Sequence, residues 1–280
     1  MNQQLRPFLL WISVPLCIVL AITGLGAFWP DIYHEKPTSA AGALASDIID
    51  LFLIVPILVA STILARRGSL RALLIWAGTL GYLTYNFMIY AFDVHFNPMF
   101  LGYCAVLGLS FYGLMMVREF LSPDEVAKTF GHGAPRRLIA ATFLFIGVSA
   151  AVNEGKEILA AIRSGQTPPS IIDTGQFTNP IHVLDLCFLL PALVIAAVLL
   201  LRRKENGFVL APVLSVMLIL ISIEVITIIV LSVQRSLTTD FSPAVSFAVV
   251  AALVTVLLNR YFHPNWHVNR LRLTHRPTSG

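Results

Sequence analysis

Eight apolar runs occupy most of this 280-residue chain, at 7–29, 47–65, 71–92, 98–117, 138–153, 181–201, 207–232 and 243–259. Runs of this length suit a lipid core about 30 Å thick, which an α-helix crosses in about 20 residues. In lipid each backbone N–H and C=O must be satisfied within the structure, and a helix does this inside one segment. Only 12% of the residues are charged and the mean hydropathy is +0.80, against about 25% charge in a soluble domain. A transmembrane barrel would instead show short strands of alternating polarity. The first run exceeds the roughly 7–15 apolar residues of a signal peptide, so it reads as a span. The expected fold is an all-α, polytopic transmembrane bundle of about eight spans.

One pattern is written twice. Asp50-Leu51 is followed by four apolar residues, Pro56, a further apolar stretch and Arg66-Arg67; Asp185-Leu186 is followed in the same way by Pro191 and Arg202-Arg203. The copies lie 135 residues apart. They predict two related halves of four spans each, over 1–120 and 137–262. An even number of spans per half gives parallel repeats about an axis along the membrane normal. Between the halves, 121–136 reads as a cytoplasmic linker helix: Ser122, Pro123 and Glu125 are start signals and Gly131 suits its end. Residues 263–280 read as a basic cytoplasmic tail.

Charge predicts the orientation. If both termini are cytoplasmic, fifteen of the nineteen Lys and Arg lie inside, and only Lys36, Lys156, Arg163 and Arg235 lie outside, as the positive-inside bias requires. Eleven of the fifteen acids then lie outside or within the membrane, and an acidic outer half attracts cations.

Helix rise converts these spans into depths. Counting from the basic cytoplasmic ends at 1.5 Å per residue, Asp50, Asn86, Glu154, Asp185 and Glu224 each lie about 22–25 Å in. Five helices thus bring one polar residue each to the outer part of the apolar slab. Glu224 is flanked by LILISI and VITIIV, and a carboxyl in such a setting usually faces the protein interior and finds a partner. Asp50 and Asp185 are read as lying near helix N-termini, where the dipole favours a carboxylate. Pro56 and Pro191 should leave the carbonyls of Phe52 and Cys187 without their usual donor, and a free carbonyl beside a carboxylate can hold a cation. Asp50, Asp185 and Glu224 are therefore the candidates to bind an ion or carry protons. Asn86, Asp93, His95, Glu154, Glu157 and His182 are the candidates to line an outer vestibule. The competing reading makes the layer a set of hydrogen-bonded packing contacts.

Other patterns carry less. Cys17, Cys104 and Cys187 sit in apolar runs without ligand or redox spacing, so no disulfide is expected. His95 and His182 near the outer ends could carry protons or join a zinc site, but HExxH, P-loop and GxSxG motifs are absent from the sequence. No cofactor is implied, and the metal question stays open. The partners expected are the lipid bilayer and, at the basic tail, anionic lipid, not nucleic acid. Small residues along the eighth span (Ser242, Ala244, Ser246, Ala248, Ala251) suit either a homodimer or packing within one chain.

The runs YNFMIYAFDVHFNPMF and NPIHVLDLCFLLPALVIAAVLLLRR resemble segments of a group of bacterial multi-pass membrane proteins with no assigned activity. The resemblance covers about 47–231. It implies an eight-span protein of the bacterial cytoplasmic (inner) membrane and transfers no site. The leading functional expectation is a cation- or proton-linked transporter or channel-like protein. The alternatives are an intramembrane enzyme acting on lipid, with His95 and His182 in its chemistry, and a non-catalytic membrane sensor or assembly protein.

Overall fold

The computed structural model describes residues 5–29 and 32–263; the tail expected over 263–280 lies, apart from His263, outside the described residues. Among the described residues there is no strand. Eight helices among the described residues are long and apolar enough to cross a membrane. They are α1 (Leu5–Gly24), α2 (Pro37–Arg66), α3 (Leu70–Asp93), α4 (Phe100–Val117), α6 (Arg136–Ser164), α8 (Pro180–Leu201), α9 (Glu205–Gln234) and α10 (Ser242–Phe262). Among the described residues there are also two short α-helices, α5 (Pro123–Phe130) and α7 (Pro169–Thr174), and a 3-10 turn at Leu25–Phe28. Ser122 Oγ caps α5 by accepting from the Glu125 N–H, which satisfies one of the orphan donors at a helix start.

The α2 boundary departs from the sequence expectation. The helix begins at Pro37, ten residues before the apolar run, through PTSAAGALAS. This stretch is too polar to read as membrane-spanning, but it is rich in alanine, the best helix former. Proline at the first helical position costs no hydrogen bond. Ala41, Ala43 and Ala45 are buried against the bundle. Asp50 is therefore deep within a long helix, and a stabilising helix N-terminus does not explain its carboxyl.

The neighbour order is the same in the two halves. In the first, α1 packs on α2, α2 on α3 and α3 on α4; in the second, α6 packs on α8, α8 on α9 and α9 on α10. The halves meet where α3 packs on α9, flanked by α2 on α9 and by the first turns of α8 on α3. The third spans of both halves are thus the central helices. In α3, 83% of the apolar window is buried, so its polar residues face protein rather than lipid. At Gly78 the backbones of α3 and α9 come so close that a Cβ would lie 2.6 Å from Val216 Cβ and 2.7 Å from the Val213 carbonyl oxygen. Within the first half, Trp76 Nε1 (2.8 Å) and Thr62 Oγ1 (2.7 Å) both donate to Ser13 Oγ, tying α1, α2 and α3 together by polar contacts in a setting where hydrophobic association is weak.

The duplicated sequence is also duplicated in backbone conformation. Residues 50–54 and 185–189 form one turn of π-helix each. In both, the N–H five residues on, Val55 or Leu190, donates to the aspartate carbonyl. Twelve residues beyond each conserved-spacing proline stands a left-handed residue, Gly68 (φ 98°) and Arg203 (φ 54°). The hairpin bonds match as well: Gly68 N–H to Ala65 O and Ser69 N–H to Leu64 O in one copy, Arg203 N–H to Leu200 O and Lys204 N–H to Leu199 O in the other. These are the paired bonds of a Schellman helix end.

The π-turns also move the freed carbonyl. The sequence points to Phe52 and Cys187, whose partners four residues on are prolines. In the structure Val55 and Leu190 give their N–H to Asp50 and Asp185. Leu51 and Leu186 thereby lose their α-helical donors, and their next candidates five residues on are Pro56 and Pro191, which have no N–H.

Candidate functional site

Four carboxyls are buried within the bundle. Asp50 is 1% exposed, Asp47 2%, Glu224 6% and Glu154 8%, beside Asn86 at 3%. None of them pairs with a Lys or Arg among the described residues. A charge buried without a partner costs several kcal/mol, so each carboxyl depends on the hydroxyls, amides and other acids around it.

The first group lies between α2, α3 and α9. Ser46 Oγ donates to Glu224 Oε1, and Tyr82 and Asn86 lie near the same carboxyl. Asn86 Nδ2 also donates to the Tyr82 oxygen, at 3.4 Å. Asp50 stands one turn from Ser46, which bonds Glu224, on the same face of α2, and its Oδ1 is buried with no hydrogen-bond partner. Buried polar atoms are nearly always satisfied, and an exception asks for an explanation.

The second group lies between α3, α6 and α8. Tyr85 donates its hydroxyl to Asp185 Oδ1 at 2.9 Å. Glu154 stands near Asp185, and its Oε2 is buried with no hydrogen-bond partner. In the first turn of α8, His182 Nε2 stands 3.9 Å from Glu157 Oε2, both partly exposed. α3 contributes to both groups, Asn86 and Tyr82 to the first and Tyr85 to the second. The structure thus gathers Asp50, Asn86 and Glu224 in one cluster, and Glu154, Glu157, His182 and Asp185 in another next to it.

Asp93 and His95 lie apart from both. Asp93 accepts from Gln176 Nε2. His95 is exposed, and its backbone N–H (2.6 Å) and ring Nδ1 (3.2 Å) both meet Glu35 Oε1. The structure therefore does not bring His95 and His182 together. Among the described residues no three His, Cys, Asp or Glu side chains are grouped as a metal ion would need.

Asp47 is the residue that sequence reasoning missed. It accepts from the hydroxyls of Tyr33 and Tyr90, and Tyr90 shares its proton with the Ala43 carbonyl at 2.7 Å. Burial, followed by the nearby Asp47 carboxyl, holds the Tyr33 hydroxyl far above the usual tyrosine range, so Tyr33 remains a donor. A signal was present: Asp47 and Asp50 stand three apart, on one helical face. At the repeat spacing of 135 residues their counterparts are His182 and Asp185.

The segment between α6 and α8 covers the second group at the ends of these helices. Lys36 Nζ donates to the Ile172 carbonyl at 2.6 Å and Thr38 Oγ1 to that of Asp173 at 3.3 Å. The Ser170 N–H donates to Glu157 Oε1 at 3.1 Å. α7 thereby rests on the start of α2 while holding Glu157 in place. No protein-family model, curated protein or solved structure matches the chain.

Proposed function

We propose that this integral membrane protein is a proton-linked transporter in which Asp50 and Glu224 hold the coupling proton. The observation that carries this reading is Asp50 itself: a carboxyl 1% exposed, with an unpartnered oxygen, near a second buried acid and paired with no Lys or Arg among the described residues. Ionisable residues within spans mark ion or proton pathways more often than they serve packing, because their burial is costly. A proton fits this cluster better than a metal cation. The groups facing Glu224 are hydrogen-bond donors (Ser46, Tyr82, Asn86), whereas a hard cation requires about six or more oxygen ligands. A carboxyl that gains and loses a proton can use a neighbouring acid and these donors in turn.

The excess of arginine at the ends of spans opposite the acidic layer supports termini on the cytoplasmic side of a bacterial inner membrane, with the layer toward the outer face. Proton uptake into proteoliposomes carrying a trapped pH indicator tests the proposal. Wild type should carry protons down an imposed gradient, and Asp50→Asn and Glu224→Gln should reduce flux to that of empty vesicles. Wild-type flux in both variants would refute it.

A further inference from the structure

We infer that residues 165–179, the segment between α6 and α8, form a gate between the two halves, latched to the first half by Lys36, Thr38 and Asp93, and that its release admits water to Glu154. Such a gate governs access to a buried acid rather than proton transfer, so it goes beyond the proton-linked reading and does not depend on it.

The segment is held by polar contacts. None of its residues is buried, so apolar packing contributes little to keeping it in place. Three side-chain hydrogen bonds tie it to the first half. Lys36 Nζ donates to the Ile172 carbonyl at 2.6 Å, Thr38 Oγ1 to the Asp173 carbonyl at 3.3 Å, and Gln176 Nε2 to the Asp93 carboxyl. The stem of Lys36 also lies against Gly175, where an added Cβ would be 2.9 Å from its Cε. Gly165 (φ 67°) and Gly175 (φ 75°) are left-handed, and so place permissive backbone on either side of α7. A segment with few buried apolar contacts and exposed hydrogen bonds opens at low free energy.

The opposite end of the interface is built differently. There Phe130 of α5 packs on Tyr261 and Phe262 of α10, with ring centroids 5.6 and 5.4 Å apart, and Arg71 of α3 lies over the same ring at 5.9 Å. Val126 and Phe130 are buried, and Gly78 brings the backbone of α3 against α9. Arg71 and Asp93 stand about 33 Å apart along α3. The halves are thus joined by aromatic and close backbone packing at one end and by exposed hydrogen bonds at the other. The second end is the one that gives way when they separate.

Beneath the gate lies a carboxyl with an open valence for hydrogen bonding. The Ser170 N–H holds Glu157 Oε1 at 3.1 Å. Glu154 stands one turn along the same face of α6, 8% exposed, with Oε2 buried and unpartnered. A buried polar atom without a protein partner is one that water satisfies. Releasing Ser170 frees Glu157 and opens the path along α6 to that oxygen.

The test reads thiol reactivity in the full-length protein with Cys17, Cys104 and Cys187 replaced by alanine and Glu154→Cys introduced. A charged, water-soluble methanethiosulfonate should modify position 154 slowly. Lys36→Met keeps the stem and removes the donor, and should raise the rate about fivefold, the weight of one hydrogen bond lost from the closed state. Adding Gln176→Ala should raise it further, and Lys36→Arg, which retains a donor, should leave it as it was. Ser215→Cys, buried in α9 near the Gly78 approach, should stay unreactive in every background. An unchanged rate at position 154 in the double variant overturns the gate. So does a rise at 154 matched by one at 215, which marks general loosening. With the native residue kept at 154, amide hydrogen exchange gives a second reading: residues 165–179 should exchange faster in Lys36→Met while 123–130 do not. Equal acceleration of both segments, or of neither, overturns the gate. Neither readout involves proton flux, so failure of the gate and failure of the proton-linked reading are separate results.

Discussion

Asp50 and Asp185 occupy the same place in the same irregularity: each accepts on its carbonyl the N–H five residues on, each opens a π-turn, and each precedes a proline by six residues. Single-turn π-bulges recur at functional sites. Here each one turns an aspartate toward a central helix and leaves a leucine carbonyl without a helical donor.

The freed carbonyl can be tested directly. Replacing Pro56 with alanine adds an N–H in reach of Leu51, and an isotope-labelled Leu51 carbonyl should then move to lower infrared frequency. An unchanged frequency in Pro56→Ala would show that Leu51 already has a donor.

The helix contact at Gly78 predicts a steep size limit. Gly78→Ala places a methyl group 2.7 Å from a backbone oxygen of α9, and overpacking of this kind costs about 1–3 kcal/mol. Gly42→Ala, where a Cβ meets nothing within 4 Å, should not destabilise. Thermal unfolding in detergent separates the two, and equal midpoints would contradict the close approach of α3 and α9.

Asp50 should be kept at a cost in stability. Its unpartnered oxygen carries a desolvation penalty of about 1–3 kcal/mol, which an apolar residue of similar volume would remove. Asp50→Leu is therefore expected to unfold at a temperature no lower than wild type while losing proton flux. A marked drop in unfolding temperature would instead assign Asp50 a structural role.

Most of the architecture is legible in the sequence because the bilayer leaves few choices: long apolar runs become helices, and eight are found. The start of α2 is not legible from hydropathy, since PTSAAGALAS is helical through alanine content and packing against the bundle. Nor are the π-turns, which depend on how a proline's missing donor is absorbed locally. Depth arithmetic selects Asp50, Asn86, Glu154, Asp185 and Glu224, because helix rise is regular. It does not reveal which acids meet, because that depends on helix rotation, and so the contact of Tyr85 with Asp185 appears only once α3 is seen between the halves.

Tyr33 gives a prediction for alkaline conditions. Its folded-state titration is raised by burial, so it keeps its proton above about pH 10, where tyrosines of the unfolded chain lose theirs. The unfolded state then binds fewer protons than the folded one, and stability falls as pH rises. Below that range the contribution is fully present. Tyr33→Phe should show a shallower alkaline decline in unfolding temperature, and an identical decline would place the Tyr33 hydroxyl in water.

The most direct measurement is the pH-difference infrared spectrum of the purified protein in the carbonyl-stretch region of protonated carboxyls. Wild type should show a band that exchanges with deuterium and changes with pH, and it should be lost or shifted in both Asp50→Asn and Glu224→Gln. A spectrum in which neither substitution alters any titrating carboxyl band would contradict a proton held between Asp50 and Glu224.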